Sequence, residues 1–228
     1  MKRLKYYGVG FGFGILFVVF FFQNRGCSWL PSNRVKNTIL DRVLVIDQDT
    51  EKEMLKMNLS TDDVVQVLND GDILFGDSDK NREHKCYIIE KEGVTYAFTL
   101  PAESFISQVF VDVKKEIKST SIKGKGKLIH FPMDDNLVYV DTNSVLGCQQ
   151  KELGLENPQE ILKSLIENGK IDFEKSDLSI RPKAEHFIQF EYKGRNIGAN
   201  FIWYKDKLNL TAFEFEGNEK CLSHNKEE

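Results

Sequence analysis

"NDGDILFGDSD", residues Asn69–Asp79, returns later in the same chain as "ENGKIDFEKSD", residues Glu167–Asp177. Gly71, Ile73, Phe75, Ser78 and Asp79 recur as Gly169, Ile171, Phe173, Ser176 and Asp177. Upstream, Val64, Val67 and Leu68 match Leu162, Leu165 and Ile166, three apolar positions at helical spacing. Downstream, after three extra residues in the second copy, "YIIEKEG" (87–93) meets "IQFEYKG" (188–194). Phe105 and Phe110 then find counterparts in Leu208 and Phe213. Self-similarity at a fixed spacing marks a repeated structural unit, so the chain reads as a tandem duplication.

The local signals in each copy agree. Ser60 precedes "TDDVVQVLND", with Asp63 where a capping box wants its acceptor. Gly71 then reads as a left-handed C-terminal cap. In the second copy Asn157 caps, Pro158 opens the helix, Glu160 stands at the third position and Gly169 ends it. Runs of period-2 alternation follow each helix: "DILF", "KCYIIEK", "VTYAFTL" and "FISQVFVDV", then "KIDFE", "HFIQFEYK", "NIGANFIW" and "LNLTAFEF". Alternation bounded by Gly, Asp and Lys predicts antiparallel strands. The expected fold class is α+β, with two tandem modules at 50–113 and 155–216. Each has one helix on a four-stranded antiparallel meander. A further helix is expected at 51–58 with Thr50 as its cap. Residues 23–49 form a connector, helical and then extended. Residues 114–154 are a Lys-rich linker with two short strands that belong to neither copy, and 217–228 are a polar tail.

The opening is different in kind. "YYGVGFGFGILFVVFFF", residues Tyr6–Phe22, carries no charge. It lacks the strand, third glycine and acidic residue of a dinucleotide fingerprint, and no small-residue cleavage site follows it. Its length predicts a transmembrane helix at 6–22, an uncleaved signal-anchor. Lys2, Arg3 and Lys5 in the short tail 1–5 outnumber Arg25, the only cation close to the other end, with Arg34 and Lys36 further off. The positive-inside bias then places the N-terminus in the cytoplasm and the modules outside it, on the envelope side of a bacterial membrane. Gly8 with Gly12, and Gly10 with Gly14, form small-xxx-small pairs that suit a homodimer of helices in lipid.

The remaining composition is that of a folded chain: 41% hydrophobic and 29% charged, with a net charge of −4 that offers no global argument for nucleic acid. Cys27, Cys86, Cys148 and Cys221 lack metal-type spacing and either pair or stay as buried thiols. Cys148 with Cys221 is the preferred disulfide. Neither the four scattered histidines nor any serine completes a metal site, a catalytic triad or a phosphate loop, so no catalytic residue, metal or cofactor is expected. The recurring Ser78–Asp79 and Ser176–Asp177 pairs either close turns through their own backbone or form a paired ligand site. "KKEIKSTSIKGKGK" at 114–127 holds six lysines and no aromatic. It reads as a solvated linker, with contacts to RNA or anionic headgroups as the alternative.

Around "MNLSTDDVVQVLNDGDI" the sequence resembles a bacterial family known as domain of unknown function 4258. The resemblance covers residues 50–113, and reaches 155–216 through the internal repeat. It implies a helix followed by a four-stranded meander, a fold grouped with RelE-like and barnase-like ribonuclease toxins. Members of that family carry a histidine and two arginines in the first helix region, as acid–base and phosphate-contact groups. Those places hold Asp49, Glu53 and Met57 here. Acidic side chains would repel a phosphate, so the resemblance does not extend to ribonuclease chemistry. The expected function is that of a non-enzymatic binding or scaffold protein, in a variant form immunity-like, that recognises an envelope protein through an exposed strand edge. An RNA-cleaving or RNA-binding protein facing the cytoplasm is the alternative.

Overall fold

The computed structural model describes residues 2–23, 30–80, 84–102, 104–113, 124–132, 138–141, 144–155, 158–179, 182–204 and 207–223. They fall into two compact units, Met1–Asn37 and Thr38–Glu228. The first holds helix α1 (Lys2–Gln23) and the start of α2 (Pro31–Leu40). Side chains are described on α1 from Tyr6 to Val18, and all of them are exposed. Among the described residues no helix is long and apolar enough to cross a membrane. The expected transmembrane anchor, and with it the single-pass, extracytoplasmic placement, is corrected on this ground. A Cβ at Gly8, Gly10, Gly12 or Gly14 would meet nothing within 4 Å among the described residues.

The second unit opens with β1 (Val43–Ile46), α3 (Gln48–Lys56) and α4 (Thr61–Asp70). Strands β2 (Asp72–Ile73), β3 (His84–Lys91), β4 (Val94–Pro101) and β5 (Ile106–Val111) follow. After β6 (Lys125–His130) the series starts again. It runs β7 (Val138–Asp141), α5 (Ser144–Leu153), α6 (Pro158–Asn168), then β8 (Lys170–Asp177), β9 (Glu185–Tyr192), β10 (Arg195–Trp203) and β11 (Lys207–Glu214), and closes with α7 (Glu219–Ser223).

The expected pair of separate four-stranded sheets is not what forms. The described strands build one mixed sheet of eleven, in the order β2-β3-β4-β5-β1-β6-β8-β9-β10-β11-β7. The physical reason is edge coverage. A meander ends in a strand whose outer N–H and C=O groups need partners. β1 supplies them to β5 and β7 supplies them to β11, each in parallel. β6 then pairs antiparallel with β1 on one side and with β8 on the other, joining the halves. The duplication is therefore longer than the sequence suggested. The extended end of the 23–49 connector is β1 of the first copy, and the strand at 138–141, expected to belong to neither, is its equivalent in the second.

Capping follows chemistry visible in the chain, with two corrections. Ser60 Oγ accepts from Asp63 N at 3.2 Å while Asp63 Oδ2 accepts from Ser60 N at 2.7 Å, which closes the box. The preceding helix starts earlier than expected: Asp47, at the end of β1, is its N-cap and accepts from Thr50 N at 2.7 Å. Thr50 is thus inside the helix, and buried. Asn157 lies outside the described residues. Gly71 does not take the left-handed conformation either; its φ is −70° and its ψ 160°. What excludes a side chain there is space. A Cβ at Gly71 would fall 2.7 Å from Val67 O and 2.8 Å from Ile89 Cγ2, and one at Gly169 would fall 2.4 Å from Leu165 O and 2.9 Å from Leu128 Cδ1. The repeated glycine lets each helix end descend onto its sheet. Gly169→Ala is expected to cost about 1–3 kcal/mol by overpacking, read as a lower urea midpoint at unchanged m-value. An unchanged midpoint would show that the close approach is not rigid. Left-handed pairs do occur at Glu92–Gly93 and Lys193–Gly194, the hairpin tips of the two copies, as two-residue hairpins require.

Strand direction decides where the helices go. From β2 through the intervening pairings, β8 runs opposite to β2. The second half is consequently turned over relative to the first. α4 descends on the face of Ile89, where Gly71 meets it. α6 buries Ile161 and Leu165 on the opposite face, in a core with Val45, Leu128, Ile171, Ile188 and Phe201. Among the described residues, the face of β8–β11 opposite to α6 is thereby left without a helix of its own.

Candidate functional site

Cross-strand neighbours point to the same side of a sheet, so the bare face can be read from the register. One row runs Ile46, Lys127, Lys170, Gln189, Gly198, Glu214. The next runs Lys125, Asp172, Phe187, Asn200, Ala212. Glu191 and Asn196 pair beyond the first row. The lysines stand over β6 and β8, and a carboxylate stands over β11. Between them lies a cleft of about 810 Å³, whose lining also takes in Glu167 and Asn168 from the end of α6, and Phe215.

The cleft has a fixed floor and loose walls. A Cβ at Gly198 would lie 2.3 Å from Cζ of Phe187, so the glycine exists to receive that ring. Phe187 is 2% exposed. Lys175 Nζ lies 4.4 Å from the centre of the same ring and 2.8 Å from Glu214, a cation held between a π face and a carboxylate. Lys125 Nζ donates to Gln189 Oε1 at 2.6 Å. Lys127 pairs with Glu51 of α3 at 2.6 Å, at the border where the helix layer of the first half stops. Lys170 and Glu191 are exposed. Such an arrangement offers charged and hydrogen-bonding groups of both signs on one open face.

The residues singled out by the repeat have other work. Ser78 Oγ donates to Leu74 O at 2.7 Å and accepts from Ile88 N at 3.0 Å. Ser176 Oγ donates to Asp172 O at 2.6 Å and accepts from Phe187 N at 2.9 Å. Both serines tie a turn to the next strand in the same way, and each stays in its own half. Asp79 exchanges backbone hydrogen bonds with Cys86, and Asp177 Oδ1 accepts from Ser179 N at 2.9 Å. Asp49 and Glu53, at the resemblance's acid–base and phosphate places, form exposed ion pairs with Lys52 and Lys56. Met57 is the C-cap of α3. The bond to Lys52 holds the Asp49 carboxyl below the usual carboxylate range. Of the Lys-rich run, 114–123 lies outside the described residues, while Lys125 and Lys127 belong to β6.

Two further features join distant parts of the unit. Cys148 on α5 and Cys221 on α7 form a disulfide with Cα atoms 5.6 Å apart; Cys86 is buried on β3 and takes no part in it. His186 on β9 meets Ser104, which precedes β5, at 2.9 Å between Nε2 and Oγ. This serine–histidine contact is not a nucleophile site, because both side chains are buried and Ser104 Oγ also accepts from Ile106 N. Burial pushes the imidazole down to about 4, leaving it neutral. Its Nδ1, and the nearby indole N–H of Trp203, have no hydrogen-bond partner among the described residues. No group of three or more His, Cys, Asp or Glu among the described residues is placed to hold a metal ion.

Comparison with protein-family models, curated protein sequences and solved structures yields no match. The site is therefore read from its own geometry. Lys170, Phe187, Gly198 and Glu214 were not anticipated from the sequence. Alternation in "HFIQFEYK" sorted the side chains of β9 into two sets, but nothing in it said which set the helix would cover.

Proposed function

We propose that this chain is a non-catalytic binding protein that takes a protein segment of mixed charge in the cleft over β6 and β8–β11. The observation that carries the reading is the in-register row from Lys127 and Lys170 to Glu214 on a face that no described helix of the second half covers. Charge complementarity names the occupant. An acidic side chain suits Lys170, and a basic one suits Glu191 or Glu214. RNA suits the site less well, since Glu167, Glu191 and Glu214 in the lining would face its phosphates.

Selection of extended peptides from a display library on the purified chain is the test. Enriched peptides should combine acidic and basic residues and bind Lys170→Glu about 5- to 10-fold more weakly, roughly 1 kcal/mol of reversed charge. Replacing the peptide's acidic residue by lysine should restore that affinity. Peptides indifferent to Lys170→Glu, or tight single-stranded RNA binding with a steep salt dependence, would remove the reading.

A further inference from the structure

The internal duplication supplies a comparison that no relative provides. β1 and β7 occupy the same place in their copies: each precedes two helices and a meander, and each pairs parallel with the last strand of that meander. In the first copy Val43 stands opposite Ile106, and in the second Val140 stands opposite Asn209, the counterpart of Ile106. Their outer edges differ. The outer edge of β1 is filled by β6, antiparallel, with Val45 opposite Leu128 and Ile46 opposite Lys127. β7 ends the sheet, and no described strand pairs with its outer side.

We infer that the outer edge of β7 takes an extended strand from a partner protein, antiparallel, as β1 takes β6. Addition of a strand to a sheet edge draws its affinity from main-chain hydrogen bonds and its specificity from alternate side chains. The filled copy shows what those side chains are. In β6 the residues Lys125 and Lys127 face the open side while Gly126 and Leu128 face the core, so small or apolar groups alternate with cations. A partner strand of that pattern satisfies at β7 the backbone groups that β6 satisfies at β1. The other end of the sheet is a poorer acceptor, since β2 has two residues against the four of β7. This site is separate from the cleft and does not depend on it.

The probe is a synthetic peptide of this chain's own β6 segment, Gly124–Phe131, added to the full protein. We expect saturable binding by fluorescence anisotropy, with hydrogen-exchange protection gained at 138–141. N-methylation of alternate peptide amides should weaken binding at least tenfold in one of the two registers. A second form of the protein keeps the test decisive without altering β7: the same segment fused behind Glu228 through a flexible linker should fill the edge in cis and abolish binding in trans. Absence of binding, equal binding of both methylated peptides, or protection appearing at β2 instead would overturn the inference. So would protection of 138–141 in the free protein that rises with its concentration, since a second copy would then be the occupant. Lys170→Glu should leave peptide binding unchanged, which separates this result from the fate of the cleft.

Discussion

Replacing Cys148 and Cys221 together by serine is expected to lower the stability of the folded unit by about 4 kcal/mol. The bond joins residues separated by 73 positions. In the chain-entropy description a loop of that size, closed in the unfolded ensemble, costs the unfolded state roughly this much. The tie also has a local consequence. α7 is a helix of five residues, too short to hold itself, and its attachment to α5 runs through Cys221, which is buried, and through Gln149. The Gln149 side chain donates to Phe213 O at 3.1 Å and to Asn218 Oδ1 at 2.6 Å, and accepts from Phe213 N at 3.2 Å. The last turns of the chain and the end of β11 should therefore loosen first. Urea unfolding of the double variant, and of the natural chain with and without a reductant, reads the effect; a shift of the thermal midpoint by roughly 10–15 °C corresponds to it for a unit of this size. Identical curves with and without reductant would mean that the pair contributes nothing.

His186 gives the second large effect, and it depends on pH. Its folded value, about 4, lies below the ordinary 6.5 because burial penalises the imidazolium. A group that is neutral in the fold and protonates more easily when unfolded favours unfolding as pH falls. Its contribution is present in full above about pH 6.5 and is lost progressively down to about pH 4. Two to three pKa units correspond to about 3 kcal/mol. Carboxylates titrate in the same range, so the comparison that isolates the histidine is the difference between the natural chain and His186→Gln. The natural chain should lose about 3 kcal/mol more than the variant between pH 7.5 and pH 4. Parallel pH profiles would show that the imidazole is hydrated in the fold. The site matters because His186 and Ser104 belong to different copies, so acid should act first where the two halves touch.

Much of the local structure was legible in the chain. Ser60 and Asp63 announce the start of α4, since their hydrogen bonds are made within four residues. The glycine pairs at the hairpin tips were bounded by alternation. The repeated serine had a backbone role that its recurrence already favoured. The repeat itself came from matching residues whose environment is local: a glycine under a helix end, an apolar helix face, a strand. Where a local reading failed, a long-range contact had decided. A glycine after a helix usually takes the left-handed conformation, but Gly71 is extended, and the side chain of Ile89, eighteen positions on, leaves no room for a Cβ there. Asp47 displaced Thr50 as a cap because β1 ends there, and β1 was itself hidden in a connector.

By itself, then, the sequence determined that there are two copies, what each helix and strand is made of, and which side chains of a strand share a face. Only the tertiary structure decided that β6 would merge the copies into one sheet by pairing with β1 and β8, because pairing depends on which edges are left open after the meanders form. It also decided that the second copy would be turned over, since that follows from summing strand directions across pairs far apart in the chain. The face with Lys170, Phe187 and Glu214, and the edge of β7 with which no described strand pairs, are consequences of that reversal and that pairing. Neither can be seen in residues taken a few at a time.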